Sequence, residues 1–101
     1  MRIPLTEETT QRVARLFSPA DRELVSTLLV EECGDNLPLV HAAAGLERIR
    51  IAALKVSGGD LNALQRAIDL AKIDWRDLLM AAGFGHDVSA HKSWWPEAPQ
   101  S

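Results

Sequence analysis

The sequence predicts an all-α protein: a compact bundle of four main helices followed by one or two short C-terminal helices. Apolar residues recur at steps of three and four through most of the chain, which is the period of a helix that buries one face. Start and stop signals for helices fall between these runs, most clearly at Gly58-Gly59-Asp60. No segment alternates apolar and polar residues in the way that half-buried strands do.

The first two predicted helices have clear start signals. Thr6 is expected to cap a helix that ends near Phe17, and its few apolar residues suggest loose docking. The charges of this helix follow its dipole, acidic at the start and basic at the end: Glu7, Glu8, Arg12 and Arg15. Ser18-Pro19 begins the second helix, and Gly34 is expected to end it with a left-handed backbone. The apolar stripe of the second helix is Leu24, Val25, Leu28 and Leu29.

The third helix is predicted to run from Leu39 to Val56, and apolar residues on several of its sides suggest that it is the central one. Asp60 caps the fourth helix. This helix is expected to bend at Ile73-Asp74, where Asp74 caps a continuation and Ile73 packs on Leu78 as a hydrophobic staple. Nearly complete burial is predicted for six core residues: Leu46, Ile49, Ala53, Leu64, Ile68 and Leu78.

The C-terminal part of the chain carries weaker signals. Gly83 closes the helical core, and Asp87 is expected to cap a last short helix. At 101 residues and 47% apolar content, the chain is long enough for one core. We therefore expect one domain over residues 1–95 and a flexible tail over 96–101.

Charge and composition argue against several classes of function. The formal net charge of -3 gives no positive field for a phosphate backbone, so nucleic acid is not an expected partner. No apolar run reaches the length of a membrane span or of a secretory signal, which predicts a soluble cytoplasmic protein without a membrane partner. Cys33 is the only cysteine and is expected to be a small buried side chain.

Two segments, RIRIAALKVSGGDL and DWRDLLMAAGF, together resemble a set of small uncharacterised bacterial proteins of similar length. The resemblance extends from about Phe17 to Trp94. It implies an all-helical, soluble, bacterial protein. It implies no activity, ligand or functional residue.

One candidate binding surface is a basic strip on the third helix. His41, Arg48 and Lys55 are spaced by seven residues, with Gly45 and Ala52 between them. Such a strip could seat an anion or a helix of a partner protein. The alternative is that these are ordinary solvated charges, paired with neighbouring acidic residues.

Two further clusters raise the question of metal binding. Glu31, Glu32 and Asp35 lie at a helix C-terminus, where negative charge is unfavourable, and His41 could join them. Pairing with Arg48 and Arg50 explains this cluster better. A second group, His86, Asp87 and His91, lacks a zinc-site spacing. With no nucleophile elbow and no phosphate loop, we expect no catalytic residue, no metal and no cofactor.

Trp94 and Trp95 are the remaining candidates. Adjacent side chains on a helix diverge by about 100°, so the two indoles are difficult to bury together unless the segment lies in a groove. One reading makes them anchors for a protein partner or for a second copy, and the other folds them onto the core. The first functional hypothesis is a small interaction module, such as an adaptor, regulator or inhibitory partner. The alternatives are a small-ligand or metal-binding protein that could have enzymatic activity, built on His41 and the nearby carboxylates, and, less favoured, a helix-turn-helix protein.

Overall fold

The computed structural model describes residues 3–34, 43–87 and 89–96. Within these ranges the chain forms helices and no strands, so the predicted all-α bundle is confirmed. The helices are α1 (Glu7–Leu16), α2 (Pro19–Glu32), α3 (Ala43–Ser57), α4 (Leu61–Ala81) and α5 (Ala90–Ser93). The predicted connection at Asp35–Pro38, the start of the third helix at Leu39 and His41 lie outside the described residues.

The predicted starts of α1 and α2 are confirmed. The Thr6 hydroxyl accepts the backbone N–H of Thr9 at 3.2 Å, which satisfies one of the free donors of the first turn. Ser18 is the N-cap of α2 by position, but its hydroxyl donates to the Asp21 carboxylate at 3.3 Å and accepts no backbone N–H; Pro19 is the first helical residue, where the missing N–H of proline costs nothing. Local sequence therefore sets where both helices begin.

α3 is the central helix, as predicted, and contacts α1, α4 and α5. The six predicted core residues are all at most 2% exposed, and Ile51 and Leu54 widen the buried surface of α3. Gly58 and Gly59 end the helix with positive φ angles of 59° and 89°. A Cβ on Gly59 would lie 2.8 Å from the Leu16 carbonyl oxygen, so this turn packs closely on the end of α1.

α4 bends at Asp74, as predicted, because this residue leaves the helical conformation (φ -154°, ψ 95°). Its carboxylate accepts the backbone N–H of Arg76 at 3.0 Å and so caps the continuation. The expected staple is wrong: Leu78 is fully buried, whereas Ile73 is 81% exposed. Ile73 directly precedes the non-helical Asp74 and faces solvent, so it does not pack on Leu78, which faces the core.

Other sequence expectations also need correction. Leu24 and Val56 are 50% and 39% exposed, because the core is filled by their helix neighbours. Gly34 has no left-handed backbone; a Cβ there would lie 2.7 Å from the Val30 carbonyl oxygen, so close packing is the constraint. Pro96, expected in the tail, is buried, and residues 97–101 lie outside the described ranges. Among the described helices, none combines the length and hydropathy needed to cross a membrane.

Candidate functional site

Two arginines are buried in this small core. Arg12 of α1 is 1% exposed and Arg50 of α3 is 3% exposed. Burial lowers the pKa of both guanidinium groups from their usual value, although both remain charged at any physiological pH. Charged side chains are rarely so buried unless their hydrogens have partners, and here the partners are backbone carbonyls.

Arg12 binds the C-terminal segment, residues 89–96, to α1. Its Nε donates to the Trp94 carbonyl oxygen at 3.0 Å, and its Nη2 donates to those of His91 at 3.1 Å and Lys92 at 3.3 Å. Its Nη1 donates to the Glu8 carbonyl oxygen at 3.1 Å. The last carbonyls of a helix have no partners within it, so a guanidinium is well suited to bind them. α1 is therefore not loosely docked, in contrast to the sequence expectation.

The tryptophans complete this attachment. The Arg12 guanidinium lies 3.7 Å from the centroid of the Trp95 ring, and that of Arg15 lies 5.0 Å from it. Both distances are within the range of a cation–π interaction. Trp94 is half-buried and packs against the core. The segment thus lies against the body of the protein, and the interface role of Trp94 and Trp95 stays a prediction.

A pocket of about 370 Å³ lies between α1, α3 and the C-terminal segment. It combines acidic, basic, aromatic and aliphatic side chains, and we call it the α1–α3 pocket. The residues that line it are Glu8, Arg12, Glu47, Ile51, His91, Lys92 and Trp95. Five of these seven residues have polar side chains, so the pocket is more polar than most small-molecule sites, and Ile51 and Trp95 are its apolar residues.

His91 is the buried imidazole of this pocket. The residue is 3% exposed, and its Nδ1 is buried with no hydrogen-bond partner in the described part of the chain. Burial lowers the pKa of His91, an effect that the nearby Glu47 carboxylate opposes and that Lys92, Arg48 and Arg12 reinforce. Burial therefore favours the neutral form of the ring, and its Nδ1 keeps an unfilled position for a hydrogen bond.

Two carboxylates are the acidic groups of the pocket. Glu47 Oε1 accepts the hydroxyl hydrogen of Thr6 and, at 3.5 Å, that of Thr9, which places the carboxylate beside the start of α1. No hydrogen bond to a described residue occupies Glu47 Oε2 or the carboxylate of Glu8. The pocket therefore keeps unfilled acceptor positions on both carboxylates.

The basic strip of the third helix takes a different role from the expected one. Arg48 donates to the carbonyl oxygens of Phe84 and, at 3.3 Å, Asp87, and the Lys55 Nζ lies 4.8 Å from the centroid of the Phe84 ring. Ala52 is fully buried, while Gly45 faces open space. The structure therefore brings Arg48 and Lys55 together at the connection between α4 and α5, and His41 lies outside the described residues.

The acidic cluster at the end of α2 also finds other partners. Arg50 donates to the carbonyl oxygens of Cys33, Pro4 and Ile3 at 2.7–3.1 Å, and within the described part of the chain the expected pairing of Arg50 with Glu31 and Glu32 is not observed. Glu32 forms its ion pair with Lys72, at 3.3 Å. Asp35 lies outside the described residues.

Metal and thiol chemistry find no support in the described geometry. Across residues 3–34, 43–87 and 89–96, no three His, Cys, Asp or Glu side chains come together as a metal site. His86 is exposed while His91 is buried, so these two histidines face different environments. Cys33 is fully buried, as predicted, and burial raises the pKa of its thiol to about 12, which makes it unreactive.

Sequence reasoning missed Arg12 as an organising residue, although a signal for it exists. Thr9, Arg12, Val13 and Leu16 follow the steps of three and four that mark a buried helix face. An arginine within such a stripe indicates a guanidinium that has partners inside the protein. Arg50 follows the same rule between Leu46 and Leu54.

Comparison with known proteins adds no relative: no protein-family model, curated protein sequence or solved structure matches this chain.

Proposed function

We propose that this chain is a small protein–protein interaction module that pairs with a second copy of itself through the outer face of α4. The observation that carries this proposal is the exposure of two large apolar side chains on that helix. Ile73 is 81% exposed and Met80 is 71% exposed, although the core of the protein is otherwise well filled. Ile73 and Met80 are about two helical turns apart, so together they can supply the apolar contact of an interface with another protein.

The surroundings of Met80 are also apolar. Met80, Gly83, Gly85 and His86 line a shallow depression of about 370 Å³ at the end of α4. A Cβ on Gly85 would lie 3.0 Å from Met80 Cγ, so the methionine rests directly on the glycine backbone. A flexible methionine above such a depression adapts well to a side chain from another molecule.

The charges on the same face favour a second copy as the partner. The exposed charged residues of α4 on either side of Ile73 include both signs: Arg66, Asp69, Asp74, Arg76 and Asp77. In an antiparallel pairing that places Ile73 of one copy opposite Met80 of the other, Arg76 of each copy lies opposite Asp77 of its partner. The small net charge of -3 adds little repulsion between copies.

The proposed setting is the cytoplasm of a bacterium, where the dimer would act as an adaptor, a regulator or an inhibitory partner. A role of this kind needs no cofactor and no nucleic acid. The polar face of α3 around Gly45 would remain available for a further protein in such a dimer, because Gly45 faces open space.

Sedimentation velocity over a range of protein concentrations tests the proposal. We expect the parent chain to dimerise and the double variant Ile73→Ser, Met80→Ser to remain monomeric with an unchanged helical spectrum. The matched control is Leu24→Ser, Val56→Ser, which removes the other two large apolar side chains that are exposed among the described residues and should still dimerise. A parent that stays monomeric, or a double variant that dimerises as the parent does, contradicts the proposal.

A further inference from the structure

We propose that the α1–α3 pocket binds a small organic cation, a short alkyl chain that carries an ammonium or guanidinium group. This inference does not depend on dimerisation through α4, because the pocket is formed by other residues. It follows from which hydrogen-bonding groups of the pocket are already occupied and which are not.

The arginine of the pocket is occupied. Arg12 uses Nε, Nη1 and Nη2 to bind backbone carbonyls, and one face of its guanidinium lies against Trp95. It has little capacity left to bind an anionic ligand. Lys92 is the other basic residue of the pocket, and it is exposed, as Glu8 is, so the partly buried Glu47 carboxylate has more influence on the charge of the ligand.

The groups that remain unoccupied are mainly acceptors. The carboxylate of Glu8 and Oε2 of Glu47 have no hydrogen bond from a described residue, and both residues line the pocket. Charged donors such as an ammonium or guanidinium bind carboxylates with short, strong hydrogen bonds. A ligand of this class therefore matches the pocket better than a carboxylate or a phosphate does.

His91 is the second and independent indication of a ligand. It lines the pocket and is only 3% exposed, and its Nδ1 has no hydrogen-bond partner among the described residues. Buried polar atoms in native proteins are rarely left without a hydrogen bond. A neutral imidazole can accept a hydrogen from an ammonium and does not repel a cation.

The shape of the pocket suits a short chain. Its volume of about 370 Å³ is near the lower end for small-molecule sites. Ile51 of α3, at 1% exposure, lies beneath the pocket, and the partly exposed Trp95 supplies its apolar surface. A stem of a few methylene groups could lie along Trp95, with its charged end at Glu8 and Glu47.

A titration monitored by NMR tests the site, with the indole N–H signals of the uniformly ¹⁵N-labelled protein as reporters. The probes are agmatine and putrescine, with 1,4-butanediol as the neutral control and glutarate as the anionic control. We expect saturable shifts of the Trp95 indole signal with at least one of the cations, and none of comparable affinity with either control. No saturable shift with either cation, or equal affinity for glutarate, overturns the proposal.

Two matched substitutions connect the binding to the pocket. Glu8→Gln should weaken binding by about tenfold or more, as expected for the loss of one charge-assisted hydrogen bond. Glu7→Gln removes the same charge from the same helical turn but outside the pocket, and should leave the affinity nearly unchanged. Equal losses in the two variants would indicate a general charge effect and would overturn the assignment.

Lys92→Gln is an independent test of whether the ligand carries a positive or a negative charge. Removal of this positive charge from the edge of the pocket should strengthen the binding of a cation severalfold. Weaker binding in Lys92→Gln would show that the ligand contacts the lysine, which contradicts a cation site.

Discussion

Arg12 and Trp95 form a stacked pair in which the guanidinium lies 3.7 Å from the ring centroid, and the same guanidinium binds the carbonyls at the end of α5. One side chain of α1 thus holds the C-terminal segment in place. Because α5 itself has only four residues, its position depends on this contact more than on its own helical stability.

The first prediction concerns this attachment. Arg12→Lys keeps the positive charge but cannot reach the same set of carbonyls, so buried acceptors lose their donors. We expect the free energy of unfolding to fall by about 2–4 kcal/mol in urea denaturation. The control is Arg15→Lys, an exposed arginine near the same indole, which should change stability by less than about 0.5 kcal/mol. Equal effects would show that Arg12 acts only as a surface charge.

The second prediction is a pH dependence that comes from His91. Burial lowers the pKa of the folded-state imidazole below its usual 6.5, so between these two pKa values the unfolded chain binds more protons than the folded one. The free energy of unfolding should therefore be highest above about pH 6.5 and should decrease as the pH falls from there through the folded-state pKa. The groups around His91 are Glu47, which opposes the shift, and Lys92, Arg48 and Arg12, which increase it.

Urea denaturation at several pH values between about 7.5 and 5 measures this effect, above the range in which most carboxylates titrate. His91→Gln should flatten the profile, because glutamine does not titrate. His86→Gln removes an exposed histidine and should leave the profile as in the parent. A parent profile that is already flat, or one that His86→Gln flattens, contradicts the assignment to His91.

The bend of α4 supplies the third prediction. The Asp74 carboxylate caps the second part of the helix through the backbone N–H of Arg76. Asp74→Ala should cost about 0.5–2 kcal/mol, and Asp74→Asn much less, since asparagine caps almost as well. Asp77→Ala, three residues on and exposed, should be nearly neutral. If alanine and asparagine at position 74 have equal effects, the carboxylate acts through its charge and not as a cap.

The helix starts could be predicted from the sequence because capping is a local interaction. Thr6, Asp60 and Asp74 each accept a backbone N–H two or three residues further along the chain. Ile73 and Leu24 are exposed although the sequence predicts buried positions for them, because the burial of a side chain is not decided by local interactions. Which side of a helix is covered depends on the packing of neighbouring helices, and a period of 3.6 residues allows adjacent apolar positions to compete for the same buried face.

The candidate site could not be predicted in the same way. The Nε of Arg12 binds the carbonyl oxygen of Trp94, which is 82 positions away in the chain. A contact of this kind has no local spacing rule, since backbone carbonyls are present at every residue. The sequence drew attention to Trp94 and Trp95 by their size, but their position against α1 depends on an arginine that resembles an ordinary charge at the end of a helix. Its place in an apolar stripe was the only available signal.

The last prediction separates the two possible roles of the C-terminal tryptophans. Trp94 packs against the core and Trp95 stacks on Arg12, so we expect each to stabilise the fold. Trp94→Ala should cost about 2–4 kcal/mol as a partly buried aromatic, and Trp95→Ala about 1–2 kcal/mol through the lost cation–π contact. Both values can be measured by denaturation in urea, and dimerisation through α4 should persist wherever the variants remain folded.

The interface role that the sequence suggests makes a different prediction: the double variant would weaken association by about 2 kcal/mol or more, as for hot-spot residues, and leave the thermal midpoint almost unchanged. Sedimentation of the double variant at a temperature well below its midpoint distinguishes the two, because only the interface role lowers association in a folded chain.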